Sequence, residues 1–341
     1  MGNIIPIHYY LVVLHVEITP VEARARKKSR RFVMKAIVFE EFGSELVLKE
    51  AEVAAPKAAK GEVLIRIAHT SINPVDWKIR EGFLKGMFPH VFPIIPGWDA
   101  AGVIEAVGEG VTSFGPGDEV YAYTRLPEVR WGTYAEFIAL PESSVAKKPK
   151  SITSTIAAGV PLVGLTAFQS INKIAKVRAG ERVLITGGSG GVGSYAIQFA
   201  KVAGAIVVAT AGSNNQGYLK ELGATHAVDY TKGTLVEAAR AVAPEGFDVV
   251  FDTIGGETLA LASTLLKPGG RVVSISETPK NGTFHFVYPS GAELSEIAKL
   301  IDEGKVRPAE TTVRSVREAA AAQVESRSRH VRGKVVLAIN F

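Results

Sequence analysis

Arg182-Val-Leu-Ile-Thr-Gly-Gly-Ser-Gly-Gly-Val-Gly193 decides how this chain is read. An apolar run ends at Thr186, G-x-G-x-x-G occupies Gly188 to Gly193, and Tyr195, Phe199 and Val202 follow at helical spacing. Glycine lets such a turn close and leaves no Cβ in the way of an approaching anion, while the unpaired amides at the helix start face it. The glycine pattern alone is weak. With a strand before it and a helix after it, it predicts a seat for a dinucleotide's pyrophosphate.

Outward from that turn the pattern repeats. Val183–Thr186, Ile206–Thr210, Ala227–Asp229, Asp248–Asp252 and Arg271–Ser274 read as short buried strands, with helices over Val192–Ala203, Leu235–Ala243 and Glu257–Leu266 between them. This alternation predicts an α/β fold with a doubly wound parallel sheet. Upstream the chain is β-rich: Met34–Glu40, Leu46–Glu50, Glu62–Ala68, Ala100–Val107 and Glu119–Tyr123, broken by Gly and Pro turns, suggest a small barrel. Downstream, Ala292–Glu303 reads as a helix and Lys334–Ile339 as a strand. No internal repeat or low-complexity segment interrupts the body.

A chain of 341 residues that is 47% hydrophobic can bury two cores. It contains no cysteine, which removes disulfides, thiolate metal sites and a cysteine nucleophile and suits a reducing cytoplasm, the expected location. Residues 1–33 carry six Lys or Arg against Glu17 and Glu22, a net +4 of the total +5, so the rest of the chain is at 5 − 4 = +1. A nearly neutral body gives little reason to expect nucleic acid as a partner. The first 33 residues are too short and too broken in their apolar stretch for a membrane span, and lack a secretory signal's basic start. They read as a disordered extension preceding the strand pattern at Met34, with a weak membrane or partner anchor as the alternative.

The nucleotide is read at the end of the second strand. An NAD site places an acid about 20 residues beyond the glycines, and this chain has Thr210-Ala-Gly-Ser-Asn-Asn215. With no carboxylate there to repel a 2′-phosphate and short hydrogen-bond donors nearby, NADPH is the expected cofactor.

From Met34 onward the sequence resembles the zinc-independent quinone oxidoreductase branch of the medium-chain dehydrogenases/reductases, which includes alkenal and enone reductases. The resemblance rests on Asn73-Pro-Val-Asp-Trp-Lys78, Pro96-Gly-Trp-Asp-Ala-Ala-Gly102, Gly115-Pro-Gly-Asp118, Pro161-Leu-Val-Gly-Leu-Thr166, Gly190-Gly-Val-Gly193, Val228-Asp-Tyr230 and Gly333-Lys334. It implies a GroES-like β-barrel catalytic domain from residues 34–156 and 286–341, with a Rossmann NADP-binding domain at 157–285 and the active site between them. Zinc-dependent relatives carry Gly-His-Glu, where this chain has Gly97-Trp98-Asp99, and its seven histidines lack ligand spacing, so no metal is expected. The resemblance implies a homodimer.

Cofactor contacts carry over residue by residue. Thr166 reaches the cofactor's centre, Gly190, Gly191 and Val192 its phosphates, and Ser213, Asn214 and Tyr230 the 2′-phosphate and adenosine ribose. Ile254 and Ser274 end strands at the sheet's carboxyl edge, and Phe286, Val287 and Gly333 close over the nicotinamide, although Tyr230 and Phe286 also suit ordinary packing. Several relatives have a lysine near Gln216 that is missing here. Without zinc to polarise a carbonyl, the substrate must supply its own electron sink, as a quinone or an α,β-unsaturated carbonyl does. Lys78 is the candidate donor to the developing oxyanion and a cofactor neighbour, or else a solvated lysine paired with Asp76 or Glu81. Asn73 either positions the nicotinamide side of the cleft or caps a turn. Phe83, Phe88, Phe92, Tyr123, Trp131 and Tyr134 are either substrate wall or barrel core. The alternative to an NADPH-dependent reductase is an NADPH-holding sensor or RNA-binding regulator, told apart by whether NADPH is consumed.

Overall fold

The computed structural model describes residues 32–328 and 333–341. The expected disordered extension therefore lies outside the described residues, except at its last two positions, which belong to the fold. The Phe32 carbonyl accepts from the Ala55 amide, and β1 (Val33–Val38) pairs antiparallel with β2 (Lys49–Ala54). The strand expected at Leu46–Glu50 starts late, because the Ser44 hydroxyl accepts from Leu46 N and opens a 3-10 turn over Glu45–Val47.

A seven-stranded sheet is centred on the long strand β3 (Glu62–Ser71). After it come α1 (Pro74–Arg80), β4 (Asp99–Val107), β5 (Glu119–Tyr123), β6 (Phe137–Pro141) and β7 (Val145–Lys147). Helix α1 stands where strands and turns were expected. Its signal was Asn73-Pro74, an extended residue followed by proline at the first helical position, where a missing N–H costs nothing. Two helices, α2 (Ser154–Ala158) and α3 (Pro161–Phe168), then lead to the glycine turn.

The second sheet has six strands, all paired in parallel. The chain runs β8 (Arg182–Ile185), α4 (Gly191–Val202), β9 (Ile206–Ala211), α5 (Gln216–Leu222), β10 (His226–Asp229), α6 (Leu235–Val242), β11 (Phe247–Asp252), α7 (Gly256–Ser263), β12 (Leu266–Ser274) and β13 (Thr283–Phe284). Helix α7 is shorter than expected: Leu265 N–H turns back to the Ala262 carbonyl, and Leu266 already opens β12. The strand order β10-β9-β8-β11-β12-β13 reverses direction beside β8, so the glycine turn that follows β8 sits at the switch point, where open α/β sheets bind ligands.

The chain closes with α8 (Gly291–Asp302), β14 (Thr311–Ser315), α9 (Ala319–Arg327) and β15 (Lys334–Ala338). β15 pairs antiparallel with the end of β3, Val336 opposite Ser71, and thereby completes the first sheet with residues from the far end of the sequence. The architecture is a GroES-like β domain joined to a Rossmann-type parallel sheet.

Candidate active site

Close packing fixes the glycine turn. Gly187 takes φ +65°, and a Cβ on Gly193 would lie 2.2 Å from the Gly187 oxygen and 2.8 Å from Gly188 Cα, so both positions exclude a side chain. Gly190 differs: it has an ordinary φ of −76°, and its Cβ would meet only the Gly187 oxygen at 3.4 Å. Space therefore opens above the first residues of α4, whose amides have no carbonyl one turn before them inside the helix. That is the donor set and the room an anionic phosphate needs. Gly191 and Val192 are half-buried at this edge.

A Cβ on Gly191 would touch Val163 Cγ1 at 3.1 Å and Lys334 Cδ at 3.5 Å, which brings β15 and α3 against the turn. The Lys334 ammonium donates to the Ile72 carbonyl at 2.7 Å and to Asn73 Oδ1 at 2.6 Å. The Asn73 amide in turn donates to Asp99 Oδ2 at 2.7 Å, which also accepts from Ser71 Oγ at 2.6 Å, while Asp99 Oδ1 accepts from Leu162 N at 2.7 Å. Asp99 and Lys334 are 3.9 Å apart and buried. Asp76 is next to them: its Oδ2 accepts from Asn73 N at 2.8 Å and from Tyr134 Oη at 3.0 Å, and its Oδ1 has no partner. Burial pushes the Asp76 carboxyl up to about 7 and raises Asp99, and it pushes Lys334 down. Three hydrogen bonds and the nearby ammonium favour Asp99 as the ionised acid. Asp76, equally buried but with one oxygen unpartnered, keeps its proton more readily.

Next to this network an aromatic wall crosses from one sheet to the other. Trp98 meets Tyr123 (centroids 6.1 Å apart) and Phe88 (6.2 Å), and Phe88 meets Phe286, just beyond β13, at 5.4 Å. Phe286 is half-buried and Val287 buried. Gln169 fixes this segment, its Nε2 donating to the Tyr288 carbonyl at 2.9 Å and to Glu293 at 2.7 Å, its Oε1 accepting from Tyr288 N at 3.2 Å.

The end of the second strand is more acidic than the sequence suggested. Ser213 Oγ donates to Asp229 Oδ2 at 2.5 Å and lies 2.9 Å from Thr231 Oγ1, so the premise that no carboxylate stands here is corrected: the neighbouring strand β10 supplies one. Hydrogen bonds from Ser213 and Thr231 hold the Asp229 carboxyl below its usual range. Tyr230 is 57% exposed, with its hydroxyl over Gly212, and Asn214 is exposed beside them.

With that geometry in place, comparison with known proteins gives a consistent answer. Residues 59–150 match the family described as alcohol dehydrogenase GroES-like domain, and residues 191–295 the one described as zinc-binding dehydrogenase. A chloroplast envelope quinone oxidoreductase homolog of Arabidopsis thaliana is 32% identical over 328 residues, covering 89% of this chain and 98% of the relative. The same plant's chloroplastic NADPH-dependent alkenal/one oxidoreductase is 38% identical over 283 residues, covering 81% of this chain and 71% of its own. The solved quinone oxidoreductase from Coxiella burnetii superposes with a TM-score of 0.81 at 30% identity, covering 90% of this chain and all (100%) of that one. This chain is a medium-chain dehydrogenase/reductase. It belongs to the quinone oxidoreductase and alkenal/one oxidoreductase branch and is an oxidoreductase of nicotinamide coenzymes.

Within this dehydrogenase/reductase the residues anticipated from sequence fall into three groups. Gly190, Gly191, Val192 and Ile254, whose Cδ1 would lie 2.8 Å from a Gly187 Cβ, surround the turn. Ser213, Asn214 and Tyr230 gather at the adenosine end of the sheet. The third group is enclosed. Ser274 is fully buried, its hydroxyl donating to Asp252 and accepting from Ser276 N and Glu277 N; Thr166 donates to the Leu162 carbonyl at 2.6 Å; both ends of the Asn73 amide are engaged. Gly333 takes φ +77°, where a Cβ would lie 2.2 Å from the Glu310 oxygen, so it is required by the approach of β15. Lys78 is half-buried on α1 with its ammonium 5.7 Å from the Trp77 ring centroid, and the lysine beside the glycine turn is Lys334. Sequence reasoning quoted Gly333-Lys334 without giving Lys334 a role, named Asp76 only as a partner for Lys78 rather than as acceptor from Asn73 N and Tyr134, and missed Gln169; the long-range pairings leave no periodic trace. Among the described residues no three of His, Cys, Asp and Glu gather as a metal site requires, and Asp99 already spends both oxygens on protein donors. Among them, too, no helix is long and apolar enough to cross a membrane.

Proposed function

We propose that this chain reduces a quinone or an α,β-unsaturated carbonyl with NADPH. The observation that carries the proposal is the open space at Gly190, at the switch point of the parallel sheet and one residue from the Lys334–Asn73–Asp99 network. Support for the acceptor class comes from the aromatic side chains gathered at Trp98, Phe88 and Phe286 and from the names of the relatives. Bound there, a reduced nicotinamide supplies a hydride. Taken up at the β-carbon of an enone, with a proton from water at the α-carbon, it yields the saturated carbonyl and the oxidised coenzyme; a quinone takes hydride and proton to become the hydroquinone.

The chain's own residues then have distinct tasks. The amides of Gly191 and Val192 hold the phosphates, with Thr166, Ile254, Ser274, Phe286, Val287 and Gly333 shaping the walls around the coenzyme. Asn73 acts as a positioning residue between Lys334 and Asp99. Lys78 donates to the oxygen on which charge accumulates as hydride arrives. Ser213, Asn214 and Tyr230 offer hydroxyl and amide groups to a 2′-phosphate. Asp229 speaks for a second reading, NADH, because its carboxylate repels that phosphate and can accept from a free ribose hydroxyl. A cytoplasmic location, in keeping with the cysteine-free inventory, no nucleic-acid partner, in keeping with the 5 − 4 = +1 charge outside residues 1–33, and a homodimer, which the family resemblance implies, complete the proposal.

Coenzyme oxidation by purified protein, measured with NADPH and NADH against a panel of quinones and short enones, tests all of this. Turnover with NADPH preferred is expected, and Lys78→Ala should lower kcat for an enone at least as much as it raises KM. Tight coenzyme binding with no acceptor consumed would instead identify a sensor.

A further inference from the structure

Tyr123 ends β5, and two residues on, Arg125 turns into the aromatic wall. Its guanidinium carbon lies 5.3 Å from the Phe88 ring centroid and 5.6 Å from that of Phe286. These rings belong to different parts of the fold, Phe88 to the segment after α1 and Phe286 to the segment just beyond β13, and the cation packs beside their contact. Arg125 is half-buried, and its Nε is shut off from solvent with no hydrogen-bond partner. The Thr124 hydroxyl beside it is likewise buried and unpartnered. Among the described residues, no carboxylate forms an ion pair with Arg125, although surface Arg and Lys elsewhere in the molecule pair freely.

Such a group asks for a specific complement. Two aromatic faces stabilise a guanidinium while leaving its N–H edge free to donate, and that edge matches the two oxygens of a carboxylate. A guanidinium stays charged at any pH the protein meets. A transient oxyanion, present only during reaction, would leave this charge uncompensated for most of the cycle; a permanent anion on the bound molecule would not. A partly desolvated cation with an unsatisfied donor is costly until paired.

We infer that Arg125 is a specificity-determining residue that binds a carboxylate on the acceptor, so that the preferred substrates are conjugated oxo acids, in which an enone or quinone bears an acid group. The inference rests on the proposed reductase activity and narrows its substrate class. Phe88 and Phe286 hold the Arg125 guanidinium in place, and Arg125 anchors the charged end of the acceptor.

The test compares a γ-oxo-α,β-unsaturated acid with its own methyl ester, in wild type and in Arg125→Gln and Arg125→Lys, reading kcat/KM for each and, separately, calorimetric binding of the saturated γ-oxo acid to the protein with oxidised coenzyme. Wild type is expected to favour acid over ester, and Arg125→Gln to lower that ratio by about tenfold to a hundredfold, chiefly through KM. Arg125→Lys, which keeps charge but not the fork, should fall between them. Melting temperature without ligands separates a folding defect from a recognition defect. Equal use of acid and ester by wild type, or an equal loss on both in Arg125→Gln, overturns the inference while leaving the reductase proposal intact. Arg125-dependent binding of the saturated acid without turnover of any acceptor supports the carboxylate site and removes the reductase proposal instead.

Discussion

Replacing Gly190 by alanine separates the requirements of the fold from those of the coenzyme. The residue's φ of −76° and ψ of 171° are ordinary for alanine, and the added methyl meets only one backbone oxygen at 3.4 Å. As the cap of α4 it loses roughly 0.5–1 kcal/mol on replacement, because alanine is a poorer cap than glycine. Reduced freedom of the unfolded chain returns about 0.4–1 kcal/mol. The two nearly cancel, so the melting temperature of the ligand-free protein should stay within about 2 °C. The methyl nevertheless occupies the space above the helix amides. Hydrogen bonds from amides to a charged phosphate contribute about 1.5–3 kcal/mol each, and losing one or two raises the dissociation constant for reduced coenzyme by about tenfold to more than a hundredfold. Gly193→Ala is the contrast: its Cβ would sit 2.2 Å from backbone, and it should melt markedly lower even without ligand. Calorimetric melting of the free protein and fluorescence titration with NADPH read the two effects independently. A Gly190→Ala protein that melts and binds as wild type does would refute the assignment of this turn to the phosphates.

The buried network and the adenosine end give three further expectations. Asp76, near 3.8 when unfolded and about 7 when folded, keeps a proton that the unfolded chain loses, so its contribution is complete below about pH 4 and lost as the pH rises to about 7. Melting temperature measured across that window should decline less steeply in Asp76→Asn than in wild type, and parallel curves would refute the burial argument. Lys334→Met leaves the Asp99 carboxylate buried without its cation and should cost about 3–5 kcal/mol in denaturant unfolding. Adding Asp99→Asn should recover part of that loss; a purely additive double mutant would deny the pairing. Asp229→Asn should raise the NADPH-over-NADH ratio of kcat/KM by roughly twofold to tenfold, shrinking as salt is added, and an unchanged ratio would exonerate the carboxylate.

What the sequence made legible was local. The glycine turn, its strand and its helix announced themselves because glycine spacing and apolar periodicity are properties of neighbours in the chain, and β8, α4 and β9 formed within a residue or two of expectation. Helix α1 was hidden because Asn-Pro serves turns and helix starts alike. The polar network was illegible for a different reason: Lys334 and Ile72 are 262 positions apart, and no pattern in either segment names the other. The same holds at the adenosine end, where the acid missing from Thr210–Asn215 arrives from the adjacent strand, 16 positions beyond Ser213.

That remoteness has a consequence for how the protein is made. A ribosome adding roughly 5–20 residues per second needs on the order of fifteen to fifty seconds to pass from Ile72 to Lys334. Late in that interval the parallel sheet over residues 182–284 can already close, since all its strands precede Lys334. Asp99 and Asp76, by contrast, still lack their ammonium partner, and the edge of β3 that later receives β15 is bare. The nascent chain is thus exposed to mispairing at β3, and that strand's edge becomes secure only when β15 arrives.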